Sequence, residues 1–149
     1  MLVTGHKRGE LLNMTLRIAL LLLFSMLLMA DTAADVLNVF TGAAEALIND
    51  DSAAFLDSFD RNMPGYAALQ NNVEGLLAAY DVGSTIEEIT DEGDDQKRTV
   101  TLDWLLILKQ KGATNSPQQT RRQIVKCSVE RRGKQWKITA LEPAEFFKY

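Results

Sequence analysis

KRTVTLDWLLILKQ, residues Lys97–Gln110, sets Val100, Leu102, Trp104, Leu106 and Leu108 on one face and Thr99, Thr101, Asp103, Leu105, Ile107 and Lys109 on the other. A period of two is that of a β-strand, in which successive side chains point to opposite faces. The second half of the stretch is apolar on both faces, so the strand is expected in the middle of a sheet.

The same period extends outward from it. Ser84–Thr90 reads as a short strand and Asp91-Glu-Gly-Asp-Asp-Gln96 as a polar turn. After a loop over Lys111–Gln118, which holds Gly112 and Pro117, come Gln119–Arg132 and Gln135–Leu141. These form a hairpin around Arg132-Gly-Lys134, with Val125, Cys127 and Val129 on the face of Trp136, Ile138 and Ala140 or on the reverse one. The tail Pro143-Ala-Glu-Phe-Phe147 brings two aromatics to bury.

Before Gly83 the period is 3.6. Thr32-Ala-Ala-Asp35 has the form of a capping box and opens a helix carrying Val36, Leu37, Phe40, Ala43, Ala44, Leu47 and Ile48 on one stripe. Asn49-Asp-Asp-Ser52 ends that helix and caps a shorter one, whose Phe55, Leu56 and Phe59 face the core. Beyond the turn cluster Asn62-Met-Pro-Gly65, a third helix from Tyr66 to Tyr80 presents Tyr66, Leu69, Val73, Leu76, Leu77 and Tyr80. Helices followed by an antiparallel meander, without βαβ alternation, make the chain α+β, with three N-terminal helices packed in a strongly curved antiparallel sheet of about four strands.

The first 30 residues read as an export signal. Arg17 precedes an apolar run from Ile18 to Met29 interrupted only by Ser25, and the small Ala30 closes it. The run is shorter than the roughly 20 residues that cross a bilayer core, so cleavage after Ala30, or near Ala33 or Ala34, is favoured over an uncleaved anchor. Met14 makes a tighter signal than Met1 and is a candidate start. Residues 31–149 then form one domain, exported to the periplasm or the medium, with no stable membrane span after cleavage. Its only histidine, His6, leaves with the signal, and His-based triads and metal sites leave with it. Cys127 has no partner for an internal disulfide and reads as a buried thiol in the apolar alternation QIVKCSV.

Charge is segregated along the chain. Asp31–Asp95 holds 15 Asp and Glu against Arg61 alone, whereas Gln96–Tyr149 holds 12 Lys and Arg against 4 acids. The acidic net charge and the export signal argue against a nucleic-acid partner. An acidic helical layer and a basic sheet are expected to attract one another, within the chain or across a dimer. The acids of Asp91–Asp95 lack the order and distal Glu of a calcium loop, and no metal or cofactor is expected. No glycine-rich phosphate loop or G-x-S-x-G elbow is present.

With its element order and the closing stretch RRGKQWKITALEP, residues 131–143, the chain resembles the nuclear transport factor 2-like superfamily over roughly residues 35–147. The resemblance implies a cone whose sheet folds around the third helix and encloses a pocket; a cystatin-like sheet around one helix is the nearest alternative. The short strands usual between the second and third helices have only Phe59–Pro64 to form from. In such a cone Phe40, Phe59, Tyr66, Tyr80, Trp104 and Trp136 are the candidate pocket residues. Superfamily members include isomerases and dehydratases alongside non-catalytic binding modules, so the fold does not name a reaction. Isomerase chemistry needs a carboxylate base beside an oxyanion donor. Asp103 is the candidate base and Tyr66 or Tyr80 the donor; the competing reading pairs Asp103 across strands with Arg121, Arg122 or Lys126. Three functions follow: non-catalytic binding of a small apolar ligand or a protein partner through the pocket or the sheet, structural assembly as a homodimer, and a small isomerase or dehydratase using Asp103.

Overall fold

The computed structural model describes residues 6–149, with the side chains of residues 6–8 and 27–30 left out. Met1, the alternative start to Met14, and the side chain of Ala30 at the expected cleavage junction lie outside the described residues. In chain order the elements are α1 (His6–Ile48), α2 (Ser52–Asp57), α3 (Tyr66–Ala79), β1 (Tyr80–Gly93), β2 (Lys97–Gln110), β3 (Gln119–Arg132), β4 (Gln135–Glu142) and a 3-10 turn (Ala144–Phe147). They divide into two compact units, one ending at Ala34 and the other running from Asp35 to Tyr149.

The first unit is helical. Leu20, Leu21, Leu22, Leu23 and Phe24 are five consecutive residues, each at least 61% exposed, so this stretch is apolar all round and not striped. By length and composition α1 can cross a membrane, a property that signal sequences share. One expectation is corrected here. Thr32 and Asp35 do not cap a helix start, because α1 runs through both of them. A cap needs a non-helical residue at its first position, and the Leu, Met and Ala residues before Thr32 are strong helix formers that carry the helix past the motif.

The second unit is built as its periodicities require. Asp51 caps α2, its carboxylate accepting from the Ala54 amide at 2.9 Å. At Gly65 a φ of +80° turns the chain into α3. Four antiparallel strands follow in the order β1-β2-β3-β4, forming a curved sheet packed against the helices. β2 has the bounds the alternation gives, and every inward residue on it from Val100 to Leu108 is at most 2% exposed. β1 is longer than expected. It begins at Tyr80 directly after α3, because β2 offers a partner along its whole length from Gln110 opposite Tyr80 to Arg98 opposite Gly93. The polar turn shrinks accordingly, with the Asp94 carboxylate accepting from the amides of Gln96 and Lys97 at 2.8 Å each.

On β4 a register shift opposite Ser128 and Val129 makes Thr139 an extra residue. Leu141, not the expected Ala140, therefore joins Trp136 and Ile138 in the core. Between α2 and α3 the expected scarcity of strand holds. Phe59 makes a single parallel bridge to Ile138, with the Asp60 amide donating to the Ile138 carbonyl at 2.8 Å and the Ile138 amide to the Ser58 carbonyl at 2.9 Å.

The segregated charges meet within the chain. Lys111 pairs with Asp50 at 2.8 Å, Lys137 with Asp57 at 3.5 Å and Arg132 with Asp60 at 3.0 Å, each tying the basic sheet half to the acidic helical half.

Candidate functional site

Aromatic rings fill the interior between sheet and helices. Phe55 stands 5.0 Å from both Phe59 and Phe147 by ring centroid, Trp104 stands 5.1 Å from Phe147, and Phe146 packs 4.9 Å from Phe147. Two of these rings come from the C-terminal turn, which the Arg121 guanidinium ties down by donating to the Phe146 carbonyl at 2.6 Å. The indole N–H of Trp104 is satisfied by Ser84 Oγ at 2.8 Å. Edge-to-face contacts of this kind add to the gain from burying the rings. Phe40, Phe59 and Trp104 are therefore core residues, at most 2% exposed, and not the lining of an open pocket.

The remaining candidates are dispersed. Tyr66 lines a groove between α2 and α3 with Leu56, Arg61, Gln70 and Glu74. Tyr80 lines a separate one with Leu47, Asp50, Ile107 and Lys109. Trp136 lines a third, against α1 and the end of α2. Asp103 belongs to none of them. It alternates out of phase with Trp104, on the outer sheet face, where Arg122 Nε donates to its two carboxylate oxygens at 2.9 and 3.0 Å. That guanidinium holds the Asp103 carboxyl below its usual pKa. A base poised near neutrality requires the opposite shift. The structure thus brings Asp103 to Arg122, the cross-strand partner, and not to either tyrosine.

Other reactive types are likewise engaged in the fold. Cys127 is 1% exposed, and burial pushes its thiol up to about 12. Asp91 forms a buried pair with Arg98 at 2.7 Å. Among the described residues no group of three or more His, Cys, Asp or Glu is placed to hold a metal ion. What the interior lacks in polar groups the outer face supplies. The register sets Glu87 and Ile124 on either side of Asp103, Leu105 between Thr85 and Arg122, and Ile107 between Gly83 and Thr120. Ile124 is 52% exposed there.

No protein-family model matches the sequence, and no curated protein is significantly similar to it. Solved structures do match the fold. A proposed scytalone dehydratase of Novosphingobium aromaticivorans superposes with a TM-score of 0.67 at 13% identity, over 75% of this chain and 85% of that one. A proposed dehydratase from the NTF2-like family of Streptomyces avermitilis gives 0.62 at 10% identity, over 75% and 94%. Hexachlorocyclohexane dehydrochlorinase LinA-type3 of Novosphingobium barchaimii gives 0.62 at 14% identity, over 78% and 88%. At these identities the likeness is one of architecture, and the sheet curved around its helices identifies the chain as having the nuclear transport factor 2-like fold.

Proposed function

We propose that the domain is a non-catalytic, exported binding module that engages a protein partner through the outer face of its sheet. The observation that carries this reading is the filled interior. With Phe55, Phe59, Trp104, Phe146 and Phe147 linked by a chain of ring contacts and Trp104 fully buried, no substrate-sized space adjoins Trp104. Dehydratase chemistry, for which two of the matched proteins are named, is not transferred, because the candidate base Asp103 is held ionised by Arg122 on the outer sheet face. Support for the sheet face comes from Leu105, Ile107 and Ile124, an apolar strip interrupted by the Asp103–Arg122 pair and flanked by Glu87 and Lys126. Apolar centres with charged rims are typical of protein interfaces.

Homodimerisation is a second reading, favoured by one feature. The strip carries acids and bases in the same patch, so two copies related by a two-fold axis can oppose Glu87 to Lys126. Photocrosslinking separates the two readings. With p-benzoylphenylalanine at position 124, and at exposed position 48 as control, the partner reading predicts one discrete heterologous product specific to position 124. The homodimer reading predicts a product of twice the chain mass. Absence of any product specific to position 124 refutes both.

A further inference from the structure

A cleft of about 380 Å³ lies where α1, the end of α2 and the start of β4 converge. Asp35, Asn38 and Gly42 form one wall, with Lys134, Gln135 and Trp136 opposite. We infer that this cleft is a binding site for a neutral, polyhydroxylated ligand of mono- or disaccharide size. It lies apart from the sheet face proposed above and does not depend on that reading.

Three observations point to it. First, Gly42 is a glycine inside a helix, six residues before its end, with no local need to be one. Its φ is not positive, and a Cβ built there meets nothing within 4 Å. Glycine weakens a helix relative to alanine, and at this position what the missing side chain leaves is room in the cleft.

Second, one residue of the lining, Trp136, holds a polar group without a partner. Trp136 is 5% exposed, yet its indole N–H has no acceptor. Behind that indole, outside the lining, Arg131 stands with its guanidinium carbon 5.5 Å from the ring centroid and its buried Nε equally unmet. Buried donors without acceptors are rare in native proteins and need an explanation, and an acceptor brought from outside the chain would supply one. Among the described residues Asp35 and Lys134 take part in no ion pair, whereas Lys137 is paired to Asp57.

Third, the cleft is balanced in charge. Two carboxylates, Asp35 and Asp57, face two ammonium groups, Lys134 and Lys137, so neither an anion nor a cation is selected. What the lining offers is a mixture of acceptors and donors, completed by the Asn38 and Gln135 amides and the Ser58 hydroxyl. Hydroxyl groups both donate and accept, and a ligand rich in them matches that mixture. The volume lies in the range of ordinary small-ligand sites.

The two tryptophans make the test internally controlled. In ¹H–¹⁵N spectra of the full chain in detergent, titration with maltose is expected to shift the Trp136 indole signal saturably and leave that of Trp104, bonded to Ser84, in place. Gly42→Leu fills the cleft at a position with no clash, so it is expected to abolish the shift while the melting temperature stays the same or rises. Three results would overturn the inference: no Trp136 shift up to about 10 mM maltose, ten times a millimolar Kd; an equal shift with glutamate or lysine; or undiminished binding by Gly42→Leu.

Discussion

Removing the Phe147 ring tests the filled interior at its centre. Phe147 is fully buried and contacts Phe55, Trp104 and Phe146 at centroid distances of 5.0, 5.1 and 4.9 Å. Phe→Ala in a core costs about 3–5 kcal/mol. The loss of three ring contacts places this site in the upper part of that range, at about 4 kcal/mol. Unfolding entropy of about 2.1 cal/mol/K per residue, taken over Asp35–Tyr149, gives ~0.24 kcal/mol/K. Phe147→Ala should therefore lower the melting temperature by about 17 °C, read by calorimetry or circular dichroism. The new cavity is apolar and stays dry, so benzene should restore part of the loss by binding only the folded state. Tyr149→Ala, which removes a side chain from a residue 69% exposed, is the control and should shift the melt little. A drop of less than about 5 °C for Phe147→Ala, well short of the core range, would refute the reasoning, because it would mean that the ring does not close the interior.

Three other outcomes follow from the structure. Asp60, Asp94 and Asp103 all have carboxyls held below their usual pKa, chiefly by the Asn62 amide, by the Lys97 and Gln96 amides, and by Arg122 respectively. A depressed folded pKa contributes stability that is full above the unfolded value near 3.9 and is lost as pH falls through the folded one. Denaturant midpoints should therefore decline on acidification below about pH 4, with a shallower decline in Asp103→Asn. Cys127 should resist Ellman's reagent at mildly alkaline pH in the native state and react fully in guanidinium, since burial pushes its thiol up to about 12. Gly93→Ala should destabilise the β1–β2 hairpin by ~2–3 kcal/mol, because Gly93 has a φ of +143° and its Cβ would lie 2.2 Å from the Lys97 carbonyl oxygen; an unchanged denaturant midpoint would contradict this.

Much of this fold was legible because alternation along β2 determines its neighbours. Once Val100 to Leu108 face inward, the inward set of β3 and the start of that of β4 at Trp136 and Ile138 follow, and so do the hairpin at Gly133 and the burial of Cys127. The same alternation places Asp103 on the face opposite Trp104, so its distance from the aromatic interior was implicit in the pattern that made it a candidate. What escaped the sequence depends on competition between elements. Tyr80 continues the apolar stripe of α3 by spacing, but pairing with Gln110 makes it the first residue of β1. Thr32-Ala-Ala-Asp35 looks like a helix start, yet the residues before it sustain the helix. Leu141 rather than Ala140 turns inward because of a register shift that no local pattern announces. The cleft at Gly42 needs three segments distant in sequence, and a glycine inside a helical stripe gave no sign of what faces it.

The central claim is that the cone holds side chains where a substrate would sit, and xenon binding under pressure tests it most directly. Crystals of the domain derivatised with xenon should show no site among Phe55, Phe59, Trp104 and Phe147, whereas Phe147→Ala crystals should show one there. A well-occupied xenon atom beside Trp104 in the unaltered domain would contradict the account and return the interior to candidacy as a ligand pocket.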